Sequence, residues 1–220
     1  VIQSAVIVTL KRLKLKQFLI KRLDMTQYTR NILKVYKQCT EEEIAHGMTW
    51  YADAKSYAYE MCDKYELPLH VVVGVIAALS PTNRRPNPNL RNADDMCRIF
   101  TDGGYVEDCK PSTYNTMRDK AWSILQSMPH TSGDVAFILR GPKITDFFWC
   151  ILGDDTCVID GHAWCIANND RRTLQNVPNI GKMLRQDLQE AYRRAGLKHD
   201  MTAYQMQAAT WVAWKRIHNV

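Results

Sequence analysis

Leu139-Arg140-Gly141-Pro142-Lys143, followed seventeen residues later by Val158-Ile159-Asp160-Gly161-His162-Ala163, is the stretch on which the fold turns. Ser132 is placed to cap a short helix through Leu139. Arg140-Gly141-Pro142 then reads as a tight turn. Lys143 to Leu152 has the apolar spacing of a second helix, stopped by Gly153-Asp154-Asp155. Cys157-Val158-Ile159 is a short apolar approach to Asp160, whose carboxylate suits the N-cap of a third helix through Asn168. A helix rises ~1.5 Å per residue. A return loop of about seven residues therefore predicts that Asp160 comes back toward the turn where Lys143 stands. A carboxylate at a helix start near an amine is an acid/base or nucleophile pair.

Outward from this stretch the reading is helix after helix. Thr40 to Glu43 is a T-x-x-E capping box. Ile44, Met48, Tyr51, Ala54, Ala58, Cys62 and Tyr65 follow at spacings of three and four, and the stripe breaks near Pro68. Pro68 suits the first turn of a helix through Leu79 that is apolar all round and so predicted to be central. Ser80 to Asn89 holds three prolines and three asparagines and reads as a loop carrying adjacent Arg84 and Arg85. Helices are expected at about 90–100 and 112–128, with Gly103-Gly104 between. Pro178 is expected to open a helix to about Ala195, and a last helix runs from about Thr202 to Ile217. With no internal repeat and no turn-rich spacing of a sandwich or barrel, the expected class is all-α with short connections.

Composition narrows the function classes. The chain has 220 residues, 46% hydrophobic and 24% charged, an ordinary globular balance. The longest apolar run, Val71 to Leu79, is far short of the ~20 residues of a membrane span, so no membrane association of that kind is expected. The net charge is +6, but residues 1–24 alone carry +5, with six basic side chains against Asp24. Met25 is the first methionine. The expected organisation is a basic extension over 1–24, either upstream of the functional domain or an arm that touches nucleic acid or a membrane surface, and a single helical domain over 25–220. Charges interrupt each apolar stretch that would serve a signal peptide. Seven cysteines, an odd count without a CxxC pair, fit free thiols in a reducing cytoplasm. Cys157, His162 and Cys165 match no standard zinc pattern, so no metal and no cofactor is expected.

Four blocks in order resemble the helix-hairpin-helix DNA glycosylase superfamily over about residues 70 to 168. Ala78-Leu79-Ser80-Pro81-Thr82 is similar to the buried helix that leads into the lesion-probing loop. Tyr114-Asn115 with Lys120-Ala121 and Ile124-Leu125 is similar to a Tyr-Asn, Lys-Ala helix. Leu139 to Lys143 resembles the hairpin, and Val158 to His162 the Val-Asp-Thr-His segment with its essential aspartate. Small bacteriophage-type members share a Ser-Pro loop, Gly-x-Lys, Ile-Asp-x-His and a terminal Gln-Ala-x-x-Trp, here Gln207 to Trp211. The hairpin is two residues short of the usual pattern, Pro142 removes a backbone donor, and no cysteine follows Cys165 to build an iron–sulfur cluster.

The resemblance implies a glycosylase-like helical bundle, a hydrolase of DNA repair or base modification, acting on a nucleotide flipped out of the duplex. Thr82, Asn83, Arg84 and Arg85 would fill or brace the gap. Arg140 and Gly141 would contact DNA. Asp160 would stabilise the sugar cation or activate water, and Lys143 would be a Schiff-base nucleophile if the strand is also cut. The expected partner is DNA, bound by a monomer in the cytoplasm, the host's if the protein is viral. Plainer readings stand beside these. Asp160 is a helix cap, Lys143 and the arginines are solvated, His162 is structural, and Trp149, Trp164, Trp211 and Trp214 are core. They lead to a non-catalytic DNA-binding module of the same fold, or to an interaction protein with no nucleic-acid role.

Overall fold

The computed structural model describes residues 27–80 and 86–219, with the side chains of 86–89 left aside. Among these residues every regular element is a helix. In chain order they are α1 (27–36), α2 (Glu41–Tyr65), α3 (Leu69–Ala78), α4 (Pro86–Thr101), α5 (Asn115–Ser127), α6 (Ser132–Leu139), α7 (Pro142–Leu152), α8 (Gly161–Asn168), α9 (Lys182–Leu197) and α10 (Ala203–His218). Short 3-10 turns occupy Val106–Asp108 and Leu174–Asn176. None of the described helices is long and apolar enough to cross a membrane.

The described residues fall into two compact units, 27–47 with 159–219 and those of 48–158. The 48–158 unit is built around α3. Every residue from Val71 to Ala78 is buried, and α4, α5, α6 and α7 all pack on this helix. Such complete burial follows from its sequence, which has no polar face to present to water. Gly74 lets α6 approach, because a Cβ there would lie 2.5 Å from Cγ1 of Val135. Helix α7 joins by burying Ile144, Phe148, Cys150 and Ile151.

In the other unit α10 packs on α8 and α9. At Gly47 a Cβ would fall 2.5 Å from the backbone nitrogen of Ala209, so the start of α2 and α10 meet backbone to backbone. Helix α2 starts on the capping box read from the sequence. Thr40 Oγ1 accepts from the Glu43 N–H at 3.2 Å, and Glu43 Oε2 accepts from the Thr40 N–H at 2.9 Å. The buried Glu43 carboxylate also accepts from the Arg216 guanidinium at 2.7 and 3.0 Å. That partner holds its pKa below the usual carboxylate range, against the opposing effect of burial.

Several sequence expectations need correction. Helix α4 begins at Pro86, inside the expected loop. A proline in a first helical turn loses only an N–H that has no helical acceptor, so it opens a helix as readily as it ends one. Helix α9 begins at Lys182 after Gly181, not at Pro178. The chain there forms the Leu174–Asn176 turn and leaves it extended at Val177. Thr131, not Ser132, caps α6, in a reciprocal box with Asp134. Trp164 and Trp214 are core, but Trp149 and Trp211 are only half-buried.

Candidate functional site

The segment into α8 behaves as its residue types require. Asp160 is extended, with φ −101° and ψ −174°, and it is the N-cap. Its Oδ1 accepts from the Ala163 N–H at 2.9 Å. Its Oδ2 accepts from the indole Nε1–H of Trp211 at 3.3 Å. Each carboxylate oxygen therefore has its own donor, one from the first turn of α8 and one from α10. Asp160 is half-buried.

The surroundings fix that arrangement. The Lys215 ammonium lies over the Trp211 ring, 4.4 Å from its centroid. His162 is buried and meets the same ring edge-on, with centroids 6.1 Å apart. Arg185 donates to the Ile159 carbonyl at 3.3 Å. Tyr192 OH donates to the Ala163 carbonyl at 3.1 Å, which ties the first turn of α8 to α9. A cation on one side of the indole and an anion at its N–H favour each other electrostatically. The result is a carboxylate with fixed orientation, a property useful to a group that must face a developing positive charge.

In the 48–158 unit the residues from Leu139 to Lys143 form the expected helix, turn, helix. Arg140 has φ 54° and ψ −28°, left-handed backbone that costs a non-glycine residue on the order of 1–2 kcal/mol. Its guanidinium lies over the ring of Phe137, at 4.9 Å, and Phe137 itself is 70% exposed. Gly141 is the N-cap of α7 and Pro142 its first residue, with no side-chain cap. Lys143 follows, half-buried and without a hydrogen bond or ion pair among the described residues.

Two participants escaped sequence reasoning. Lys120 on α5 is half-buried, and its ammonium donates to the Leu139 carbonyl. Burial and, next, the Arg140 charge push its pKa down. The Lys-Ala block held the residue, but nothing in its spacing shows the contact. Helical spacing puts Trp211 in the core, whereas its N–H reaches Asp160 across 51 positions of sequence.

Thr82, Asn83, Arg84 and Arg85 lie outside the described residues, as do residues 1–24. Asp160 belongs to one unit, and Arg140, Gly141 and Lys143 to the other. All seven cysteines are free, and among the described residues no three His, Cys, Asp or Glu side chains converge on a metal position. No curated protein and no solved structure matches the chain. Residues 16–218 match the model of DUF7178, a family of unknown function, and the chain belongs to that family.

Proposed function

We propose that the protein excises or modifies DNA bases in the manner of a helix-hairpin-helix glycosylase, with Asp160 as the charge that serves the reaction. The observation that carries this reading is the double grip on Asp160, by the Ala163 N–H and the Trp211 indole. It links the Ile-Asp-x-His segment to the terminal Gln-Ala-x-x-Trp, two blocks that both belong to the resemblance and that stand far apart in sequence. In such a reaction the bond between the sugar C1′ and the base nitrogen breaks, and its electron pair leaves with the base. The carboxylate faces the positive charge that grows on the sugar. The oxygen of water adds to C1′ and its proton passes to the carboxylate. Lys143 is the amine of the alternative covalent route, in which a Schiff base replaces water attack.

Charge distribution supports a polyanionic substrate. Among the described residues, 27–47 and 159–219, the unit that carries Asp160, hold 12 basic and 8 acidic side chains. The described residues of 48–158 hold 9 basic and 14 acidic. Attraction of phosphates thus favours the unit with the carboxylate. A second reading, a DNA-binding module without chemistry, is favoured by the cap bond itself, since the Ala163 N–H donating to Asp160 Oδ1 explains the aspartate by helix capping alone.

The test is incubation of the protein with duplexes bearing damaged or modified bases, scored for abasic sites. Base release on at least one duplex is the expected result. DNA retention at ~50 mM salt without release on any duplex supports the second reading. Absence of both overturns each. Borohydride trapping of a covalent adduct, lost in Lys143→Gln, separates the amine route from water attack.

A further inference from the structure

The turn between α6 and α7 places a charged side chain in a costly position. Lys120 is half-buried on α5, and Arg140, another cation, acts on it. Both circumstances disfavour an ammonium unless a strong acceptor offsets them. That acceptor is the Leu139 carbonyl, the last of α6, which also accepts from the Gly141 N–H at 2.6 Å. A helix C-terminus carries partial negative charge, so a lysine there is favoured over a neutral donor.

The same carbonyl immediately precedes the one strained residue of the turn. Arg140 departs from the conformation that a non-glycine residue prefers, and such residues persist where their neighbours over-determine them. Lys120 provides a tether from outside the turn, nineteen residues earlier in sequence. With Leu139 fixed on one side and Pro142 presetting φ on the other, Arg140 has little freedom. Its guanidinium stays over Phe137 at an exposed surface.

We propose that Lys120 is a positioning residue that pins the Leu139 carbonyl and thereby holds Arg140 and the turn in the shape presented to DNA. Only the last clause rests on the DNA reading above. The tether itself stands without it.

Amide exchange of the 137–144 segment, followed by mass spectrometry, tests the tether. Lys120→Met is expected to speed exchange there about tenfold while exchange in α9 is unchanged. Lys120→Arg, which retains a charged donor, should restore slow exchange. In an Arg140→Gly background the strain is gone, so adding Lys120→Met should have little further effect. That double variant serves the same comparison if Lys120→Met alone does not fold. Unchanged exchange in Lys120→Met, or an equal effect with and without Arg140→Gly, overturns the tether. DNA retention at ~50 mM salt is measured on the same proteins and should fall severalfold in Lys120→Met but not in Lys120→Arg. Faster exchange with wild-type retention overturns the positioning role. Faster exchange in a protein whose wild type binds no DNA overturns the DNA reading and leaves the tether intact.

Discussion

Helices α7 and α8 start within twenty residues of each other and start by different means. Helix α8 begins on a side chain, because Asp160 supplies an acceptor to its first turn and a second oxygen to Trp211. Helix α7 begins on backbone alone, with Gly141 offering no side chain and Pro142 removing one orphan donor. Helix α7 is instead held by what it buries. The difference extends to their units. The core of 48–158 centres on the apolar run Val71 to Ala78 of α3, whereas the other unit relies at key points on charged hydrogen bonds, from Trp211 to Asp160 and from Arg216 to Glu43. A polar anchor restricts which residue can stand at a position, and an apolar one restricts how large it must be.

The contrast can be broken by substitution. Phe148 is fully buried on α7. Phe148→Ala should destabilise the protein by roughly 3–5 kcal/mol in denaturant unfolding, through lost transfer energy and the cavity left behind. A cost below about 1 kcal/mol would show that α7 is not held by burial. Asp160→Ala should cost about 2 kcal/mol, since both bonds go, and Asp160→Asn about 1 kcal/mol, because asparagine keeps the cap to the Ala163 N–H but turns an amide donor toward the Trp211 indole. Equal costs for the two would contradict the capping account.

Acid sharpens the same contrast at the smallest scale. Glu43 has a folded-state pKa lowered first by its hydrogen bond from Arg216. Its contribution is therefore present above the unfolded glutamate pKa, about 4.3, and is lost as pH falls through the folded value. Arg216 is about half exposed, its side chain 49% accessible, so solvent screening keeps the effect small. Glu43→Gln should flatten the acid limb of the stability profile below about pH 4.3, the unfolded glutamate value. An unchanged limb would mean that the clamp contributes nothing.

How much of this was legible in sequence depended on the range of the interaction. The Thr40–Glu43 box, the buried helix after Pro68 and the Asp160 cap are contacts within three or four residues, and each appears where local spacing puts it. Prolines were ambiguous for a physical reason: the same fixed φ serves a loop and a first helical turn, and Pro86 and Pro178 took opposite roles. Helix α1 went unread because Thr29 and Asn31 interrupt its apolar stripe. Both are buried and satisfied by carbonyls of Ala191 and Ala167, far along the chain. In the candidate site the aspartate was visible, but the groups that orient it and the lysine that holds the turn act through tertiary contacts. No period or motif encodes those.

The central claim is that the charge of Asp160, rather than its role as a helix cap, makes the protein act on DNA. Base release by Asp160→Asn, measured beside wild type at matched folded fraction, tests it most directly. The account predicts release reduced about 10²–10³-fold in the folded variant, the loss expected when one charge-stabilising group is removed from a reaction. Undiminished release by a folded Asp160→Asn protein would contradict it.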